Sequence, residues 1–293
     1  MRFYTVKIGT EEKPAVGYAE HEKIYLAEEW GFSFQDMTDL IRRISKAEMD
    51  ALRKPPANAC GLDLDQTEIL APIPRPLQDV ICLGVNYADH AKESKNFDHQ
   101  GPSEEKTYAV FFSKRVSEAV GPFGSVPLYS GLVDSLDYEV ELCVVIGRDA
   151  KGVSREKALD YVFGYTILND ISARNIQMRH HQWYFGKSFD GFTPLGPCIV
   201  STDEIADPGC LDLECRVNGE LRQSSNTRML ITTIPQIIEE LSSGMTLKAG
   251  TLIATGTPAG VAFSYDPPKY LREGDMIECR IERIGTLINR VGA

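Results

Sequence analysis

The sequence predicts a β-rich α+β fold, with a small α+β unit over residues 1–75 and a larger β domain over 76–293. Three observations carry this. From Val80 onward, apolar runs of four to eight residues, rich in Val, Ile, Tyr, Phe and Thr, recur between Gly, Pro and Asp punctuation, the signature of many short strands. Helical periodicity is confined to a few segments. A Pro-rich stretch, Pro55-Pro56 followed by Pro72, Pro74 and Pro76, separates the two regions.

In the first region, Phe3–Ile8 and Ile24–Leu26 read as short strands around a turn. From Phe34 to about Arg53 the spacing of Leu40, Ile41 and Ile44 predicts one helix, with Asp36 as its cap. In the second region the runs VICLGV, AVFFSK, VELCVVIG, YVFGYTIL, LGPCIV, LECRVNG, TLIATG and DMIECRIERIG read as strands. Helices are expected near 86–93, 154–160, 172–182 and 233–243. The polar stretch 94–106 reads as a mobile surface loop. No repeat or low-complexity tract is present.

The chain of 293 residues is 43% hydrophobic and 25% charged, enough for a sizeable core without disulfides. A net charge of −11 argues against nucleic acid as partner, since phosphate binding needs a basic face. An anionic small molecule stays open, because a local metal and a few Lys or Arg can invert the field in a pocket. The seven cysteines are odd in number and form no C-x-x-C pair, so they read as reduced, mostly buried thiols. The start lacks the apolar core of a signal peptide, and no stretch approaches the ~20 apolar residues of a membrane span. A cytoplasmic protein without membrane contact is expected.

Residues 137–147 are the most informative. Tyr138, Val140, Leu142, Val144 and Ile146 fall on one face of a strand, while Glu139 and Glu141 fall on the other, roughly 7 Å apart. Taken alone, the pair is more simply read as the solvent side of a strand. If both are buried they need a compensating charge, and a bridging cation is the simplest. Asp170 ends the apolar run YVFGYTILND and so projects from a strand end. Three carboxylates without His or Cys form an all-oxygen site suited to Mg²⁺, Mn²⁺ or Ca²⁺ rather than Zn²⁺. The chain has no Walker loop, G-x-G-x-x-G or G-x-S-x-G, and His180-His181 does not belong to an H-E-x-x-H motif.

Eight motifs in order, GVNYADHAKE (84–93), FFSK (111–114), DYEVEL (137–142), GYTILNDISARNIQ (164–177), GKSFDGFTPLGP (186–197), VNGELRQSSNT (217–227), ATGTPAGV (254–261) and LREGDMIECRIERIGTL (271–287), resemble the fumarylacetoacetate hydrolase superfamily. The resemblance implies a mixed, rolled β-sheet core and a homodimer. It implies a Mg²⁺ or Mn²⁺ site built from Glu139, Glu141 and Asp170. It gives His90 and Glu93 as a water-activating dyad, Lys187 as a catalytic lysine, and Arg174, Gln177 and Thr257 as substrate-binding groups. One departure is visible: Asn175 stands where the family motif has an acid.

Each role has a physical basis. His90 and Glu93 are three residues apart and share a helix face, and a carboxylate beside an imidazole fixes its tautomer and raises its basicity. The ammonium of Lys187 would face an oxyanion, and Arg174 would hold a substrate carboxylate. The glycines around Thr257 permit close backbone approach to a ligand. The helix of the dyad and the loop to Lys106 are expected to close over a 2-oxo acid.

The resemblance implies hydrolysis of a C–C bond in an acylpyruvate-type 2,4-dioxo acid through a metal-stabilised enolate. The same ligands serve oxaloacetate decarboxylation or isomerisation of an unsaturated 2-oxo diacid. A catalytically retired binding protein that keeps the pocket is the reading from another class.

Overall fold

The alternation of residues 137–147 sets the centre of the fold. The computed structural model describes residues 1–18, 22–56, 59–94, 108–180 and 182–292. The expected lid loop after Ser94 lies outside the described residues, as do His21, His99 and His181.

In chain order the strands are β1 (Arg2–Ile8), β2 (Glu11–Gly17), β3 (Lys23–Leu26), β4 (Leu62–Asp63), β5 (Ile69–Leu70), β6 (Val80–Gly84), β7 (Val110–Lys114), β8 (Ser125–Val126) and β9 (Leu136–Asp137). They continue as β10 (Val140–Ile146), β11 (Val162–Asn169), β12 (Ser172–Ala173), β13 (Leu195–Ser201), β14 (Asp212–Val217), β15 (Glu220–Asn226), β16 (Leu252–Ala254), β17 (Met276–Ile281) and β18 (Gly285–Val291). The helices are short: α1 (Met37–Arg43), α2 (Lys46–Ala51), α3 (Ala88–Ser94), α4 (Arg174–Arg179), α5 (Tyr184–Lys187) and α6 (Ile234–Gly244). The fold is β-rich with mixed sheets, as expected.

The main sheet runs β4-β3-β2-β1-β13-β11-β10-β16-β6-β7, with β5 also paired to β1. Most neighbours are antiparallel, whereas β16 and β6 pair in parallel. A second sheet, β15-β14-β17-β18-β8, packs over β10, β11 and β13. The strands of the first 75 residues extend the main sheet, since Arg2 and Phe3 of β1 pair with Val200 and Ile199 of β13.

Every residue of β10 is buried, and its two faces enter two different cores. Val140, Leu142, Val144 and Ile146 pack between the sheets with Leu213, Ile277 and Leu287. Cys143 and Val145 face the other core, with Phe3, Val16 and α1 residues Met37, Leu40 and Ile41. Each fully buried aliphatic of this kind stabilises the fold by about 1.5–3 kcal/mol. Glu139 and Glu141 lie on this second, buried face, which removes the solvent-facing reading of the pair.

Several local expectations change: the helix expected near 154–160 is a 3-10 helix, Arg155–Tyr161, and Ser172–Ala173 are strand before α4 begins. The helix expected over Phe34–Arg53 is two helices. Ile44 leaves the helical conformation, and Ser45 starts α2 through a capping box with Glu48. β2 was not legible as a strand because its first half, Glu11-Glu12-Lys13-Pro14, is charged and carries a proline. Among the described residues no helix is long and apolar enough to cross a membrane.

Candidate active site

The β10–β11 pairing builds the acidic centre. Val140 lies opposite Asn169, so Asp170, the first residue past β11, arrives beside Glu139. The Asp170 N–H donates to the Glu139 carbonyl at 2.8 Å, and the Glu139 N–H donates to Asn169 Oδ1 at 3.0 Å. These bonds bring one oxygen each from Glu139, Glu141 and Asp170 within 4.8 Å of one another, all three residues buried.

Three buried cations surround the carboxylates. Lys187 Nζ donates to Glu139 Oε2 at 2.8 Å and to Asp170 Oδ2 at 2.7 Å. Lys114 Nζ donates to Asp170 Oδ1 at 2.6 Å and to the Ile171 carbonyl at 3.0 Å. Arg174 donates through Nη2 to Glu139 Oε1 at 2.6 Å, through Nε to Asp137 Oδ2 at 2.8 Å, and through Nη1 to Gln177 Oε1 at 3.0 Å. Burial alone would raise the pKa of Glu139, but the charges of Lys187 and Arg174 outweigh it and hold it at about 2. Burial would likewise discharge Lys187, and Asp170 and Glu139 reverse that. Lys114 stays below the ordinary lysine value, because burial and the like charge of Lys187 exceed the pull of Asp170.

Glu141 is different. Its Oε2 accepts the Gly256 N–H at 2.8 Å, and among the described residues no ion pair reaches it. Burial, then the negative charges of Asp170 and Glu139, push its pKa well above the carboxylate range. A buried carboxylate that lacks a cation and faces two others is what a metal ion would neutralise. In formal charge, Asp137, Glu139, Glu141 and Asp170 against Lys114, Arg174 and Lys187 leave one negative charge; a divalent ion would leave one positive, suited to an anionic ligand. The donor set is hard oxygen throughout, so the residues fit Mg²⁺ or Mn²⁺.

The dyad residues stand on α3. His90 Nδ1 lies 3.0 Å from Glu93 Oε2, and Glu93 Oε1 accepts the Gly260 N–H at 3.1 Å. Burial would raise the Glu93 pKa, but bonds from His90, Ser264 and Gly260 hold it below the usual value, so it stays ionised. An ionised Glu93 accepts a hydrogen bond from Nδ1–H, which selects the tautomer whose Nε2 is the acceptor atom. Asn86 fixes the entry to α3: its Nδ2 donates to the Thr255 and Thr232 carbonyls, and its Oδ1 accepts the Thr232 N–H.

Most of the site residues expected from the sequence line one cavity of about 770 Å³. His90, Glu139, Glu141, Arg174, Gln177, Lys187 and Thr257 line it directly; Glu93 and Asp170 stand behind His90 and Lys187. The rest of the wall is largely apolar, with Phe112, Trp183, Phe263 and Tyr270. All three expected substrate-binding groups are already engaged within the protein, Gln177 through its Oε1, which accepts from Arg174. Thr257 Oγ1 donates to the Val140 carbonyl and accepts from Gln223 Nε2, which fastens its loop to β10. Arg174 uses three of its five N–H groups inward, leaving two for a ligand.

Sequence reasoning missed Lys114 and Asp137 as site residues, though both lie in quoted motifs. Asp137 is wholly buried and accepts four bonds, from Arg174 Nε and from the N–H groups of Tyr138, Ala262 and Phe263. The available signal was a third acidic residue two positions before Glu139 in the DYEVEL run. Asn175 donates through Nδ2 to the Leu132 carbonyl and lines the cavity, so its amide replaces the family acid at the wall.

Comparison with known proteins identifies the family. Residues 79–292 match the family model described as fumarylacetoacetate (FAA) hydrolase C-terminal. The chain is 46% identical over 229 residues to the oxaloacetate tautomerase YisK of Bacillus subtilis (strain 168), covering 78% of this chain and 74% of that protein. Among solved structures, a fumarylacetoacetate hydrolase from the psychrophile Exiguobacterium antarcticum is similar with a TM-score of 0.86 and 38% identity, covering 100% of this chain and 99% of that one. Maleylpyruvate hydrolase from Sphingobium sp. SYK-6, in complex with manganese(II) and pyruvate, has a TM-score of 0.79 at 29% identity, covering 99% of this chain and 98% of that one. With residues 79–292 matching that family model and a relative 46% identical over 78% of its length, the chain belongs to the fumarylacetoacetate hydrolase superfamily.

Proposed function

We propose that this protein interconverts the enol and keto forms of a small 2-oxo diacid, oxaloacetate, with Mg²⁺ or Mn²⁺ as its cofactor. One observation carries the reading: the carboxylate without a cation, Glu141, and the basic edge of His90 open onto the same cavity. The resemblance to an oxaloacetate tautomerase supports the substrate, and the manganese-bound maleylpyruvate hydrolase supports the metal class.

Glu139, Glu141 and Asp170 would hold the cation, which when bound supplies Lewis-acid stabilisation of negative charge on the 2-oxo oxygen. The remaining N–H groups of Arg174 and the NH₂ of Gln177 orient a substrate carboxylate. His90 Nε2 carries the proton to or from C3, with Glu93 holding the ring and stabilising its charged form. Lys187, at the cavity wall, faces the oxygen on which charge develops. One proton leaves C3 as one joins the 2-oxo oxygen, or the reverse, so the reaction consumes nothing.

A second reading keeps the same pocket for hydrolysis of an acylpyruvate-type 2,4-dioxo acid. The ionised Glu93 behind His90 favours it, because that arrangement also suits activation of water. A panel separates the two: decay of enol-oxaloacetate followed in the ultraviolet, and pyruvate release from acylpyruvates, each with Mg²⁺ and with EDTA. Fast metal-dependent enol decay without pyruvate release is expected. Rapid pyruvate release with no acceleration of enol decay overturns the tautomerase reading in favour of the second.

A further inference from the structure

The loop Pro258–Ser264 stands between two parts of the site. On one side its Gly260 N–H donates to Glu93, 3.1 Å to Oε1 and 3.4 Å to Oε2. On the other, Asp137 grips the same loop: Oδ1 accepts the Ala262 N–H at 2.7 Å and Oδ2 accepts the Phe263 N–H at 3.2 Å. The carboxylate is completed by the Tyr138 N–H at 2.8 Å and by Arg174 Nε at 2.8 Å. Tyr138 adds a second hold, its hydroxyl donating to the Gly260 carbonyl at 3.0 Å. Gly260 itself has φ +98°, and a Cβ there would meet the Arg222 carbonyl oxygen at 2.0 Å, so the loop passes through one narrow slot.

We propose that Asp137 is a positioning residue for proton transfer. It sets the 260–264 loop, the loop sets Glu93 through the Gly260 N–H, and Glu93 sets the imidazole of His90. The chain of bonds is continuous, each link a hydrogen bond between 2.7 and 3.2 Å. Asp137 does not line the cavity and touches no reacting atom. Phe263 ties the same device to the substrate side, since its ring lies 4.7 Å from the Arg174 guanidinium. Loosening the loop therefore displaces the base and one wall together, while Glu139, Glu141 and Asp170 keep the β10–β11 pairing and the backbone bonds that place them.

The proposal rests on the reading of His90–Glu93 as the proton-moving pair, and a double-mutant cycle separates the two. Wild type, Asp137→Asn, Glu93→Gln and the double variant are assayed on enol-oxaloacetate with saturating Mg²⁺. Asp137→Asn is expected to lower kcat about tenfold, to raise KM as well because Arg174 Nε loses its charged partner, and to cost less than about threefold in kcat in the Glu93→Gln background. Deuterium uptake should rise in 257–264 and in 88–94 together. If Asp137→Asn costs the same factor in both backgrounds, Asp137 does not act through Glu93 and the proposal fails, while the dyad reading stands. If Glu93→Gln leaves kcat unchanged, the dyad reading fails and takes the proposal with it. Should Asp137→Asn not fold, Tyr138→Phe, which removes only the second hold on Gly260, decides by the same cycle. About a threefold kcat loss that vanishes with Glu93→Gln supports the proposal, and an additive loss or none overturns it.

Discussion

Glu141→Gln separates the two states of the acidic centre. In the metal-free protein Glu141 is a buried carboxylate with no cation, its pKa raised first by burial and then by Asp170 and Glu139. A group whose folded pKa lies above its unfolded value binds more protons folded than unfolded. Its contribution therefore turns against folding as pH rises above the unfolded carboxylate value near 4.3. Glutamine removes that charge at nearly constant shape and can still accept the Gly256 N–H. Metal-free Glu141→Gln should be at least as stable as metal-free wild type at pH 8, and its advantage should shrink toward pH 5. With metal the order reverses. At a free Mn²⁺ concentration a hundredfold above Kd, wild type gains about 2.7 kcal/mol. If loss of one anionic ligand weakens binding about a hundredfold, the variant at the same concentration gains only about 0.4 kcal/mol. At about 2 °C per kcal/mol for a chain of this size, wild-type Tm rises by about 5 °C and that of the variant by less than about 1 °C. Scanning calorimetry at fixed protein concentration, in EDTA and in Mn²⁺, reads both effects. A metal-free variant several degrees less stable than wild type, or one that keeps the full metal-induced rise, would refute the reasoning.

Other perturbations probe different links. Glu93→Gln should lower kcat by about 10²-fold, in the range of a lost general base, with KM within about threefold; a change confined to KM would point to substrate binding instead. Lys114→Met leaves one oxygen of a buried Asp170 without its cation, and urea denaturation of the metal-free protein should show a loss of about 3–5 kcal/mol; a loss below about 1 kcal/mol would mean the pair is not needed. Asn175→Asp replaces the donor to the Leu132 carbonyl by a charge at the cavity wall. It should raise KM for the dianion oxaloacetate more than for pyruvate-type monoanions; equal effects would separate Asn175 from substrate charge.

The acidic centre was legible because strand periodicity is two: alternation alone put Glu139 and Glu141 on one face, and the end of an apolar run marked Asp170. Burial of that face was not legible. It depends on α1 and β1, residues more than a hundred positions upstream, covering Cys143 and Val145. The inward engagement of Arg174 was hidden for a related reason. Its partners Asp137 and Glu139 lie 37 and 35 residues away and meet it only once β9 pairs with β12. Lys114 was passed over because an isolated lysine at a strand end reads as surface, whereas here it is wholly buried against Asp170. The single helix expected over 34–53 broke because Ser45 and Glu48 offer a cap that helical periodicity does not weigh. β2 escaped because charge and proline mask strand character when a neighbouring strand pairs along its whole length.

The central claim is that Glu139, Glu141 and Asp170 together hold a divalent cation on which turnover depends. Anomalous scattering from crystals grown with Mn²⁺ tests this most directly. One peak per chain is expected, coordinated by an oxygen of each of the three carboxylates and absent in Glu141→Gln crystals grown the same way. No peak between the three residues at saturating Mn²⁺, with Lys187 still bridging Glu139 and Asp170 in a fully active enzyme, would contradict it.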